Sequence, residues 1–176
     1  QGKAVFPVSV NFSRCSLAQP MFVEQLTAIC DSSGISPELL EIEITESLRE
    51  VEDLDIRALI IKIREAGFSV AIDDFGTEYA NLALLSSVEF DVLKLDIAFF
   101  RDTEGTPRER AVVESIVQMA RALGMSTVAE GVEKQEQVEF LRSIGCSAIQ
   151  GYIFSRPVPL ALFESVEASF PLYVEG

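Results

Sequence analysis

Apolar, β-branched runs recur along the chain at 5–11 (VFPVSVN), 39–45 (LLEIEIT), 68–74 (FSVAIDD), 91–96 (DVLKLD), 126–130 (STVAE) and 147–152 (SAIQGY). Runs of this length and make-up predict buried strands. Between them, apolar positions at helical spacing predict helices over 20–31, 53–66, 107–123 and 134–144, with shorter ones over 79–86 and 160–168. Pro20 and Pro107 stand in first turns, and Ser32-Ser33-Gly34, Gly67, Gly124 and Gly145 follow last turns. In 107–123, Val112, Val113, Ile116, Val117, Ala120 and Leu123 form the expected apolar stripe.

Strands alternating with helices predict parallel pairing with the helices outside. An open doubly wound sheet and a closed (β/α) barrel both fit. No GxGxxG turn follows an early strand, so a dinucleotide-binding sheet loses support. Alternation within the strands separates two faces. One face carries Val8, Val10, Ile42, Ile44, Val70, Ile72, Leu93, Leu95 and Ile149; the other ends in Asn11, Glu43, Asp73, Lys94 with Asp96, Glu130 and Gln150. Polar residues closing every strand on one face favour a barrel, where chemistry sits at the C-terminal rim. The expected fold is therefore α/β, a modified TIM-like (β/α) barrel. A complete barrel takes roughly 250 residues. Six strand–helix units in 176 residues lead us to expect a single domain over 1–176 whose first units precede Gln1.

Composition narrows the chemistry. There is no histidine, which removes the Ser-His-Asp triad and every imidazole-based metal site. Cys15, Cys30 and Cys146 are odd in number and widely spaced, which predicts free thiols rather than a disulfide framework, and a cytoplasmic setting. A net charge of −14 repels nucleic acid and anionic membranes, so neither is an expected partner. An anionic substrate would need local cations. No basic cluster is visible, and bound metal is the natural supplier.

Asn11, Glu43, Glu46, Asp73, Asp74, Lys94, Asp96, Glu130 and Gln150 form the candidate site. Carboxylates in such number at one rim require cations to stay ionised. Oxygen donors with one amide suit hard ions, magnesium, manganese or calcium. Two ions would need a bridging carboxylate, and the adjacent Asp73 and Asp74 are placed for that. Each residue also has a plainer reading. A strand-end aspartate can be a turn or helix cap. Glu46 can belong to a helical first turn with Thr45 as its cap. Lys94 can pair with Asp96, Gln150 can be a buried amide, and Asn11 can be a turn residue.

The stretches VSVNFSRCSL, LEIEITES, AIDDFGTEYANL, VLKLDIAFF, VAEGVE and LRSIGCSAIQGYIFSRPVP, in this order and spacing, resemble the EAL domain family of bacterial cyclic di-GMP phosphodiesterases. The resemblance implies a modified (β/α) barrel that hydrolyses cyclic di-GMP to linear pGpG with two Mg²⁺ or Mn²⁺ ions, Ca²⁺ being inhibitory. It implies Asn11, Glu43, Asp73, Asp74 and Glu130 as metal ligands. Lys94 would orient or activate the attacking water or stabilise phosphate charge. Glu46 would anchor the loop after Asp74, Gln150 would contact water or substrate, and Asp96 would lie at the substrate. Phe75, Gly76, Thr77 and Glu78 would couple the site to a homodimer interface. Sensor or GGDEF-type domains would be fused elsewhere in the protein.

Three departures qualify this. The glutamate of the Glu-Ala-Leu signature is absent, in line with a missing first part. Glu78 replaces the family's glycine, with Ala80 and Asn81 in place of serines, which costs about 1 kcal/mol if φ is positive at position 78. Ser147 replaces an aspartate, with a smaller expected effect. The alternative function is a non-catalytic cyclic di-GMP receptor. The isolated segment, with open strand edges, is expected to be poorly active or completed by further chain.

Overall fold

Asn11 on the first strand stands directly opposite Glu43 on the second, and this register organises the N-terminal part of the fold. A computed structural model describes residues 6–45, 55–75, 82–96 and 106–167. It divides into two compact units, Gln1–Val92 and Leu93–Gly176.

The first unit runs β1 (Val8–Asn11), α1 (Arg14–Leu17), α2 (Phe22–Ser33), a 3-10 turn (Pro37–Leu39), β2 (Leu40–Thr45), α3 (Ile56–Glu65), β3 (Ser69–Phe75) and α4 (Leu82–Ser87). β1 pairs with β2 and β2 with β3, both parallel. Parallel neighbours need crossover connections, and the helices supply them. Ile42, Ile44, Val70 and Ile72 are buried in the sheet, and Ile60 and Ile63, one helical turn apart, bury the face of α3 that packs on β3. Asp55 caps α3, accepting a 3.0 Å hydrogen bond from Ala58 N–H. The approach to β3 is tied at its N-terminal end. Asp91 Oδ2 accepts from Val70 N–H at 2.9 Å, Asp91 N–H donates to Val70 O at 2.9 Å, and Arg64 bridges Asp91 and Glu89 at 3.1 and 2.6 Å. The Glu89 contact holds the Arg64 guanidinium above its ordinary range.

The second unit carries β4 (Val92–Asp96), whose first residue falls in the first unit, then α5 (Pro107–Ala122), β5 (Ser126–Glu130), α6 (Gln135–Ser143), β6 (Ala148–Ile149) and α7 (Leu160–Glu167). β5 and β6 are parallel, with Ala129 opposite Ile149. α5 opens on a capping box: Thr106 Oγ1 accepts from Glu109 N–H at 3.2 Å, and Glu109 Oε2 from Thr106 N–H at 2.6 Å. Its buried line is Val113, Val117 and Ala120. Val112 and Leu123, expected in the stripe, are exposed, because they sit roughly 80–100° round the helix from Val113.

The predicted elements are present among the described residues, with four differences; Pro20 precedes α2, which starts at Phe22 and runs through Ser33, rather than standing in its first turn. The 5–11 run is a strand only over Val8–Asn11, and the 147–152 run only over Ala148–Ile149, where Gly151 turns the chain; both are exposed or half-buried rather than buried as expected, Val8 included. The short helix α1 was not expected; Ser13, which accepts from Ser16 N–H at 3.1 Å, was the available signal. Among the described residues, no helix is long and apolar enough to cross a membrane.

Candidate active site

In the first unit, β2 and β3 bring two carboxylates into the interior. Glu43 is 4% exposed and Asp73 8%. Glu43 registers with Asn11 on one side and with Ala71 on the other, while Asp73 registers with Thr45. Registered residues of parallel strands point to the same face, so Asn11, Glu43 and Asp73 share one. The upstream pair Ser9 and Glu41 shows the rule at work, the serine hydroxyl donating to Glu41 Oε1 at 2.8 Å. Asn11 is the last residue of β1 rather than a turn residue, and Asp73 is a paired strand residue rather than a helix cap.

Asp74 breaks the strand's geometry. Its φ is 55°, in the left-handed region that non-glycine residues seldom enter. Its N–H donates to Asp73 Oδ1 at 2.9 Å. Asp74 is exposed between two buried neighbours, Asp73 and Phe75. The adjacent carboxylates are thus divided, one inward and one outward, and Phe75 closes the strand in the core.

In the second unit, Lys94 is 5% exposed, and its ammonium Nζ lies 2.7 Å from Glu130 Oε1. Asp96, at the end of β4, and Glu130, at the end of β5, are half-buried. Gln150 lies one residue past β6. Its N–H donates to Ala129 O at 2.8 Å and its carbonyl accepts from Val132 N–H at 3.1 Å. Its side chain is exposed, so it is not the buried amide that one reading of the sequence allowed. The glycine that follows is required, since a Cβ on Gly151 would lie 2.0 Å from Val132 O. Glu46, Gly76, Thr77 and Glu78 lie outside the described residues, as do Ala80 and Asn81.

Two residues around β5 and β6 have roles that the sequence understated. Ser147 Oγ accepts from Thr127 N–H at 3.1 Å, and Thr127 Oγ1 accepts from Ser147 N–H at 3.0 Å. This reciprocal latch joins the starts of the two strands. Beside it, burial pushes the Cys146 thiol above its ordinary pKa.

The donor set fits a hard divalent cation. Two interior carboxylates share a face with a strand-end amide, an all-oxygen set of the kind hard cations take. Oxygen donors select magnesium or manganese over softer ions. Among the described residues, no three His, Cys, Asp or Glu side chains already stand as a closed cluster.

The EAL domain family profile matches residues 1–157. The chain belongs to the EAL domain family. It is 38% identical over 89% of its length to the cyclic di-GMP phosphodiesterase NbdA of Pseudomonas aeruginosa, of which it covers 20%. The crystal structure of the EAL domain of Mycobacterium smegmatis DcpA matches 96% of this chain and is covered to 75%, at 32% identity and a TM-score of 0.86. Klebsiella pneumoniae BlrP1, in its manganese complex with cyclic di-GMP, matches 86% of this chain and is covered to 39%, at 35% identity and a TM-score of 0.79. This segment therefore has the TIM-barrel-like α/β fold of EAL domains and corresponds to about a fifth of the full length of NbdA.

Proposed function

We propose that the protein containing this chain hydrolyses one phosphodiester bond of cyclic di-GMP, giving linear pGpG, in a reaction that depends on divalent cations. The observation that carries the reading is the pair of interior carboxylates, Glu43 and Asp73, beside Asn11 on one sheet face of an EAL domain. The relatives point the same way: NbdA is named for this activity, and BlrP1 was solved with manganese and cyclic di-GMP.

Asn11, Glu43, Asp73, Asp74 and Glu130 would hold the ions, magnesium or manganese, two in number, with calcium inhibitory. Bound ions would activate water for attack and neutralise the phosphate, so the reaction needs no imidazole. Lys94 supplies a buried ammonium, steadied at 2.7 Å by Glu130, whose charge stabilises negative charge growing on the phosphate oxygens. Gln150, its main chain tied to Ala129 and Val132, presents an exposed amide to the substrate, with Asp96 as a further substrate contact. Glu46 would anchor the segment after Asp74, and Phe75, Gly76, Thr77 and Glu78 would link the site to a homodimer. The rest of the protein would carry sensor or GGDEF-type domains.

Incubating the intact protein with Mn²⁺ and cyclic di-GMP should release pGpG, resolved by chromatography. Tight binding of cyclic di-GMP with no product would instead identify a receptor.

A further inference from the structure

β1 is a four-residue strand with little to bury. Val8, Ser9 and Asn11 are exposed, and Val10 is half-buried. Register is weakly specified in a strand that buries neither face. A one-residue slip of β1 on β2 would turn Asn11 away from the face that carries Glu43. The candidate cation site needs these two residues side by side, and the burial of β1 does not secure that.

Two contacts bracket Asn11. After it, the Phe12 ring stands edge-on to buried Phe22, centroids 5.0 Å apart, while the Phe12 N–H reaches Glu43 O at a long 3.4 Å. Before it, Ser9 registers with Glu41, and the serine hydroxyl donates to Glu41 Oε1 at 2.8 Å. Ser9 and Glu41 lie two residues upstream of Asn11 and Glu43, on the same face and about 6.6 Å away along the strands. A one-residue slip would break their hydrogen bond, so the bond is made in the register that sets Asn11 opposite Glu43. Its acceptor is a carboxylate, which makes it stronger than a neutral pair. Glu41 also brings a charge near Glu43, but a field effect alone would give the neutral Ser9 no part.

We propose that Ser9 and Glu41 are positioning residues, whose hydrogen bond holds β1 in the register that sets Asn11 beside Glu43 for a divalent cation. The proposal rests on the cation-dependent reading above and adds to it the element that aligns Asn11. The intact protein should be titrated calorimetrically with MnCl₂. Ser9→Ala and Glu41→Ala should each weaken binding by roughly 3- to 10-fold, and the double variant should lose no more than either alone. Ser9→Thr and Glu41→Gln keep the donor and the acceptor, and should bind within about twofold of the unaltered protein. In an Asn11→Ala background, Ser9→Ala should have no further effect, because the pair acts through Asn11; a merely structural loss would persist there. Melting curves should hardly move, since the pair is exposed. Losses below about twofold in both alanine variants would overturn the proposal and leave the cation reading standing. So would Glu41→Gln as damaging as Glu41→Ala, or an undiminished effect of Ser9→Ala in the Asn11→Ala background. Absence of manganese binding by the unaltered protein would remove both.

Discussion

The Lys94 ammonium lies 2.7 Å from Glu130 Oε1, and Lys94 is buried while Glu130 is half-buried. A pair in this setting is expensive to break from one side, because the remaining charge stays in a poorly solvated place. Discounted for the exposure of Glu130, Lys94→Met should cost about 2–3 kcal/mol in urea denaturation. Replacing both, Lys94→Met with Glu130→Leu, should recover most of that loss. If the single variant costs less than about 0.5 kcal/mol, the pair carries no such weight.

The φ of 55° at Asp74 predicts opposed effects on stability and function. Asp74→Gly relieves backbone strain of roughly 1–3 kcal/mol but adds unfolded-state entropy of about 0.5–1 kcal/mol. Metal-free protein should therefore melt at the same temperature or higher. Manganese-dependent turnover should fall at least about tenfold if the outward carboxylate is a ligand. A lower melting point for the glycine variant would show that the left-handed backbone carries no strain.

Gly151→Ala places a methyl group against the Val132 backbone, where nothing flexible can yield. The turn must shift, at a cost of about 1–3 kcal/mol. Chemical denaturation should register the loss. Gly34→Ala makes a useful comparison, since its Cβ meets nothing within 4 Å and only its φ of 66° opposes the change.

Burial raises the Cys146 pKa, and the thiolate is the reactive form. At any given pH, less of Cys146 is ionised than of an ordinary exposed thiol. Iodoacetamide, followed by peptide mass mapping, should modify exposed Cys15 first. The rate at Cys146 should rise only at higher pH, its midpoint lying above the ordinary thiol range. Equal rates across pH 7–9 would contradict this.

Much of the fold could be read from the chain because its strands end alike, apolar on one side and acid or amide on the other. Glu43, Asp73, Lys94 and Glu130 were picked out on alternation alone, and the first three prove buried. The contact of Lys94 with Glu130 is the harder one to foresee. Asp96 lies two residues away in sequence, whereas Glu130 comes from another strand, and sequence spacing cannot register a contact of that kind. Ser147, expected to matter little as a replacement for the family's aspartate, has a role that emerges only when β5 and β6 are set in register. The run SAIQGY predicts strand through Tyr152, while the close approach to Val132 that bends the chain after Ile149 is a tertiary event.

The central claim is that the interior carboxylates of β2 and β3 serve a divalent cation. Calorimetric titration of the intact protein with MnCl₂, unaltered and as Glu43→Gln, tests it directly. Glu43→Gln should weaken manganese binding by roughly 10- to 100-fold. Equal manganese affinity in the two proteins would contradict the claim.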